Sequence, residues 1–241
     1  MPTLPEILAQ LQFMTQESAL LGLFITAGII LIARDWRTLI LTLLVQYILA
    51  GLILSRLVRP DIAALKVMIG AFICPILFLS ARQVSVSLST SSVVAEKRRG
   101  LIRAHISDWW QNFTFLSLLI GRDRRRAPAA TGFTFRVLIV LLMILVATTL
   151  SNTFALPDLS TDVTTAVYWL VLAGLVTLVL TEDPMRVGHG LFTALTGFDL
   201  FYTTLEKSLL ITGLWGAVNL LIALAIGYLT VAKGAGPEEE L

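Results

Sequence analysis

Two side chains sit where their charge is expensive. Lys66 and Asp199 each fall inside a long apolar run, and a charged group at the centre of a bilayer-spanning helix costs about 2.5–3.5 kcal/mol on insertion scales. Counting back from Asp61, Lys66 lies roughly 7–8 Å inside its run; counting back from Glu206, Asp199 lies roughly 10 Å inside its own. If both runs cross a membrane, the two charges reach nearly equal depth below the same surface, and we expect them to face each other, directly or through water. Lys66 has an alternative: its four-carbon stem is long enough to carry the ammonium back to the headgroups. The aspartate is too short for that.

The run around Asp199 carries more polar chemistry. At 100° per residue, His189, Thr193, Thr196, Asp199, Thr203 and Glu206 fall within an arc of roughly 140°. Hydroxyls strung between a carboxylate and an imidazole can hold water and pass protons, because both end groups load and release a proton near neutral pH once their surroundings shift them. The alternative is helix packing, since threonine and the neighbouring Gly188, Gly190 and Gly197 favour close approach between membrane helices. Gln46, Tyr47 and Asn219 lie near the middle of other apolar runs, where an amide should hydrogen-bond to a neighbouring helix.

Those residues need an apolar frame. Of 241 residues, 56% are hydrophobic and 14% charged, which excludes an ordinary soluble domain. Seven runs approach the length of about 20 apolar residues that a bilayer requires: 18–33, 38–57, 62–80, 135–150, 164–181, 187–205 and 209–231. The expected fold is therefore an all-α integral membrane protein of about seven spans. Short charged joints separate the first and second runs and the fifth and sixth, and Pro184 supports a helix break at the latter. Met1 is followed by no basic stretch, so the start does not read as a cleavable signal.

With seven spans, fourteen of the basic residues fall on one face, and only Arg56, Arg59 and Lys207 fall on the other. The positive-inside bias makes the richer face cytoplasmic, with the N-terminus outside and the C-terminus inside. A bacterial inner membrane is the expected location. The runs also repeat. Sliding the chain by 149 residues brings Arg37 onto Arg186 and superposes the two charged joints. The expected organisation is a first three-helix unit over 1–80, a cytoplasmic insert over 81–132, a connector helix over 133–152, a second three-helix unit over 164–231 and an acidic tail over 232–241. Two parallel units joined by one connecting span is the arrangement that this count implies.

In the insert, Trp109 and Trp110 lie beside Arg122, Arg124, Arg125 and Arg126. Aromatics bordered by arginines suit a segment lying among lipid headgroups. Nucleic-acid binding is the rival reading, but the positive-inside bias already accounts for the basic cluster. The single Cys74 permits no disulfide within one chain. With only His105 and His189, no metal or haem site is expected, and no nucleotide loop or hydrolase motif appears. No cofactor and no stand-alone catalysis are expected.

The two three-helix units, the charged joints, Lys66 in a third helix that closes in Ser80-Ala81-Arg82-Gln83, and Asp199 in Thr196-Gly197-Phe198-Asp199 resemble a known group. The chain looks like the component E membrane subunit of hydrogenase 4 and formate hydrogenlyase complexes. Its second unit is similar to the K subunit of complex I and the C subunit of Mrp-type cation antiporters. The resemblance covers 20–82 and 164–231 and omits the insert. It implies a non-catalytic subunit contributing to proton or cation translocation beside larger antiporter-like membrane chains, with Asp199, Glu206 and Lys66 as titrating groups. The chain departs from the K-subunit pattern at Asn219, where that family has a second membrane carboxylate. A scaffold subunit of another membrane complex, or a small independent transporter, are the other readings.

Overall fold

The joints between helices fall where the sequence concentrates prolines and charges. A computed structural model of the protein describes residues 16–33, 35–99 and 133–234, with side chains over 17–33, 35–84 and 135–233. Seven helices are found among the described residues: α1 (Gln16–Ile32), α2 (Trp36–Leu57), α3 (Pro60–Arg99), α4 (Phe133–Thr153), α5 (Thr161–Leu180), α6 (Pro184–Leu205) and α7 (Leu209–Gly234). Pro184 opens α6 at its first turn, where its missing N–H removes no helical bond. Pro60 does the same for α3.

Five of the helical segments are long and apolar enough to cross a membrane: α2, the portion Pro60–Val84 of α3, α4 (Phe135–Thr153), α5 and α7 (Leu209–Lys233). They mark the chain as membrane-embedded. The apolar stretch of α1 is shorter. α6 has 22 residues but carries the polar stripe, and it is not among the five.

Helix α3 runs beyond its apolar stretch. The insert was expected to begin at Ala81, yet the helix continues through Pro75 and past Ser80 to Arg99. At about 1.5 Å per residue, its 40 residues extend roughly 60 Å, about twice a hydrocarbon core. Helical rise does not stop where hydrophobicity does, and 81–99 contains no proline or glycine to end it. The remainder of the insert, with Trp109, Trp110 and the Arg122–Arg126 cluster, lies outside the described residues, as does nearly all of the acidic tail; α7 itself runs on to Gly234.

Corresponding helices of the repeat pack on one another: α1 on α5, α2 on α6, and α3 on α7. They run parallel at nearly matched heights. The rings of Phe24 (α1) and Trp169 (α5) stack at 5.8 Å, and the Trp169 indole N–H donates to the Phe24 carbonyl. Gly216 of α7 abuts Ile69 of α3, and eleven residues further on Gly227 abuts Ser80 and Ile76. Among the described residues α4 packs chiefly on α1 and α5, and Leu138, Leu141, Leu142 and Leu145 leave its outer face exposed.

α5 and α6 make the most extensive contact. A Cβ added at Gly174 would lie 2.5 Å from the Ala194 nitrogen and the Gly190 carbonyl oxygen, and one at Gly197 would lie 2.9 Å from the Val167 carbonyl oxygen. Gly190, Ala194 and Gly197 follow the i, i+4, i+7 spacing of one helix face. This ridge lets the backbones touch. It also turns the opposite face of α6 toward α2 and α7, and brings Asp199 to Lys66 of α3.

Candidate functional site

Lys66, Asp199, Trp215 and Tyr47 meet between α2, α3, α6 and α7, beside a buried apolar cluster that includes Leu43, Ile73, Leu77 and Phe192. Lys66 on α3 forms an ion pair with Asp199 Oδ2 on α6. The two residues are 3% and 2% exposed, so Lys66 does not reach back to the headgroups. The ammonium also lies 5.9 Å from the centroid of the Tyr47 ring, within cation–π range.

The second carboxylate oxygen of Asp199 accepts a hydrogen bond from the indole N–H of Trp215 on α7. This donor is not among the candidates read from the sequence. Its signal was present in the repeat, because the 149-residue offset that aligns the charged joints also carries position 66 onto 215 and 47 onto 196. Two equivalent positions of the paired third helices therefore hold one aspartate. Trp215 belongs to an aromatic group with Phe198 and Tyr202, whose rings lie 5.7 Å and 6.5 Å from the indole. Phe198 faces outward, so this group stands between the ion pair and the helix exterior.

The threonines of α6 behave differently from the expected chain of hydroxyls. Thr193 donates to the His189 carbonyl at 2.8 Å and Thr196 to the Phe192 carbonyl at 2.7 Å, both within their own helix. A hydroxyl whose proton is engaged by the preceding turn can only accept from a neighbour. Thr203 is buried one turn beyond Asp199. Glu206 is not on the helical face at all: it is the residue that ends α6, partly exposed, and its carboxylate accepts from the Ser208 backbone N–H at 3.1 Å. Its geometry joins the α6–α7 turn rather than the ion pair.

His189 is fully buried, with Nδ1 2.6 Å from the Met185 carbonyl oxygen. A carbonyl can only accept, so Nδ1 carries the proton and neutral His189 presents a lone pair on Nε2. Nε2 has no hydrogen-bond partner among the described residues. Gln46 and Asn219, expected to bond across helices, are both fully buried with neither amide atom partnered. The Tyr47 hydroxyl approaches Thr196, whose Oγ1 gives its own proton to Phe192 and is left only to accept, but the two make no aligned hydrogen bond. No group of three or more His, Cys, Asp or Glu side chains capable of holding a metal occurs among the described residues. Cys74 is buried, its thiol directed at the Ile40 carbonyl.

No family model, no curated protein and no solved structure matches the chain.

Proposed function

We propose that the chain is a non-catalytic membrane subunit of an energy-converting assembly, and that the Lys66–Asp199 pair carries protons through it. In this reading all seven helices span the membrane, as two parallel three-helix units joined by α4, with the N-terminus outside and the C-terminus cytoplasmic. The observation that carries the reading is a lysine and an aspartate paired at 3% and 2% exposure among apolar helices. Desolvating two charges costs several kcal/mol per ion, and similar-sized apolar residues pack at least as well in such places. Ionisable groups within membrane helices accordingly mark ion and proton paths by default.

The pair can pass a proton without acquiring net charge. A proton added to the Asp199 carboxylate while the Lys66 ammonium releases one leaves a carboxylic acid beside a neutral amine. Transfer of the acid proton to the amine restores the ion pair, and one proton has crossed. Trp215 holds the carboxylate oxygen that Lys66 does not, fixing its orientation throughout. The resemblance to hydrogenase 4 component E, complex I K and Mrp C subunits supports larger antiporter-like chains as partners, with lipid headgroups against the basic insert.

A scaffold role is the second reading, favoured by the engagement of both Asp199 oxygens and by the glycine contacts between α5 and α6. One comparison separates them. The chain, purified in mild detergent with whatever accompanies it, is reconstituted into liposomes containing a pH-sensitive dye. The double variant Lys66→Met/Asp199→Leu removes both charges while keeping side-chain volume. A proton path predicts an assembled complex with proton flux lost; wild-type flux from that variant would rule the path out.

A further inference from the structure

We propose that Gln46, Tyr47 and Asn219 hold a cluster of ordered water between the ion pair and His189, and that this cluster is the inward branch of the proton route. The functional role assigned to the water rests on the proton-path reading above; its presence does not.

Four side chains, Gln46, Tyr47, Asn219 and His189, are at most 1% exposed and together present six polar atoms with no protein partner. Their helices bring Gln46, Tyr47 and Asn219 to one level, with His189 further along α6. α6 and α7 are antiparallel, since Asp199 meets Trp215 while Gly188 meets Ile226. Asn219, one turn after Trp215, therefore falls level with Thr196, one turn from Asp199. Tyr47 packs its ring on Gly70 of α3, where an added Cβ would lie 2.6 Å from the Tyr47 Cβ, and its hydroxyl approaches Thr196. On α2, Leu49 meets α1 at Gly22 and Gly51 meets α3 at Val67. Gln46 lies on the buried arc between those two directions, and α6 is the remaining helix packed on α2. His189 lies seven residues before Thr196, about 10 Å further along α6.

The atoms specify their ligand. The two amides offer donors and acceptors, the phenol can do either, and Nε2 of neutral His189 accepts. Water, with two protons and two lone pairs, satisfies such a mixed set. A cation suits it poorly, because each amide brings N–H donors as well as an oxygen and the paired Lys66 ammonium stands about one turn away. An excess proton then moves along the cluster by breaking one O–H bond as the next forms. It ends on His189 Nε2, leaving imidazolium, which gives up that same Nε2 proton to water on the inward side and returns to the neutral ring with Nδ1–H still on the Met185 carbonyl.

The test uses Gln46→Met/Asn219→Leu in the intact chain, compared with wild type and with Asp199→Asn. Infrared spectra recorded in ordinary and heavy-oxygen water reveal bound water as O–H stretching bands that shift with the isotope. We expect these bands in wild type and in Asp199→Asn, and their loss in the double variant, together with a fall of about tenfold in proton flux and a lower thermal midpoint. Should flux be absent even from wild type, the isotope-sensitive bands still report on the cluster by themselves. The proposal is overturned if the bands persist in the double variant, if its thermal midpoint rises as a dry, unpartnered amide layer requires, or if sodium stabilises wild type more than potassium does. If the double variant does not fold, Asn219→Leu alone is read by the same bands.

Discussion

At the scale of single residues, the consequence of the ion pair is an inequality between one substitution and two. Lys66→Met leaves Asp199 buried without its cation, and breaking a buried pair from one side costs about 3–5 kcal/mol. Replacing both partners by apolar residues is expected to cost far less, because no uncompensated charge remains. Thermal unfolding in detergent should place Lys66→Met well below both wild type and Lys66→Met/Asp199→Leu; equal midpoints for the single and double variants would show that the pair contributes no coupling. Trp215→Phe keeps the aromatic contact with Phe198 but removes the indole donor, and a hydrogen bond to a charged acceptor contributes about 1.5–3 kcal/mol. It should lower the midpoint less than Lys66→Met does. The charge partners were legible in the sequence, because an isolated lysine and aspartate in apolar runs at similar depth have few other ways to be neutralised. Trp215 was not, because an indole in an apolar helix satisfies packing as well as hydrogen bonding. Nor were the unpartnered amides. Residue type states that an amide needs a partner, but only the placement of neighbouring helices decides whether protein supplies it.

At the scale of the element, α6 is organised by two opposite faces, and the glycine face determines where the polar one points. Gly190, Ala194 and Gly197 bring its backbone against α5, so bulk added there must displace the helix and, with it, Asp199. Gly174→Leu would direct a side chain at the Gly190 carbonyl and the Ala194 nitrogen, neither of which can yield as a flexible side chain does. Overpacking of this kind costs about 1–3 kcal/mol or more. By comparison, Gly213→Ala adds its methyl where nothing lies within 4 Å. The expected outcome is a destabilised Gly174→Leu and a Gly213→Ala that unfolds with the wild-type midpoint, both read by thermal denaturation in detergent. Helix existence followed from apolar length and from Pro184, and the small-residue spacing on α6 was visible as a packing signal. What the sequence did not reveal was the end of α3. A membrane boundary is a change in solvent, and a backbone with no glycine or proline over 81–99 continues its hydrogen-bond ladder through it.

At the scale of the molecule, the repeat and the number of spans stand or fall together. Corresponding helices lie side by side and parallel, a relation that requires an odd number of crossings between the copies' first helices on each intervening passage back. α4 supplies the return. Its N-terminal Arg136 donates to the Leu31 carbonyl at the end of α1, and its far end meets α5, where Tyr168 donates to the Phe154 carbonyl. α4 therefore runs antiparallel to α1, and of the two only α4 is long and apolar enough to cross a membrane. If α1 and α6 also cross, the joints at Asp158 and Lys207 lie outside and the joint at Glu182 lies inside. Single cysteines at these three positions, in a Cys74→Ser background, make that arrangement measurable. A membrane-impermeant maleimide applied to intact cells should label Asp158→Cys and Lys207→Cys, and should reach Glu182→Cys only after permeabilisation. Asp158 and Lys207 labelling from opposite sides would remove α6 or α5 from the spans, and with it the depth match between Lys66 and Asp199. The ion pair would then be a contact within a bundle whose helices do not all cross, and no path through it could connect the two sides of the membrane.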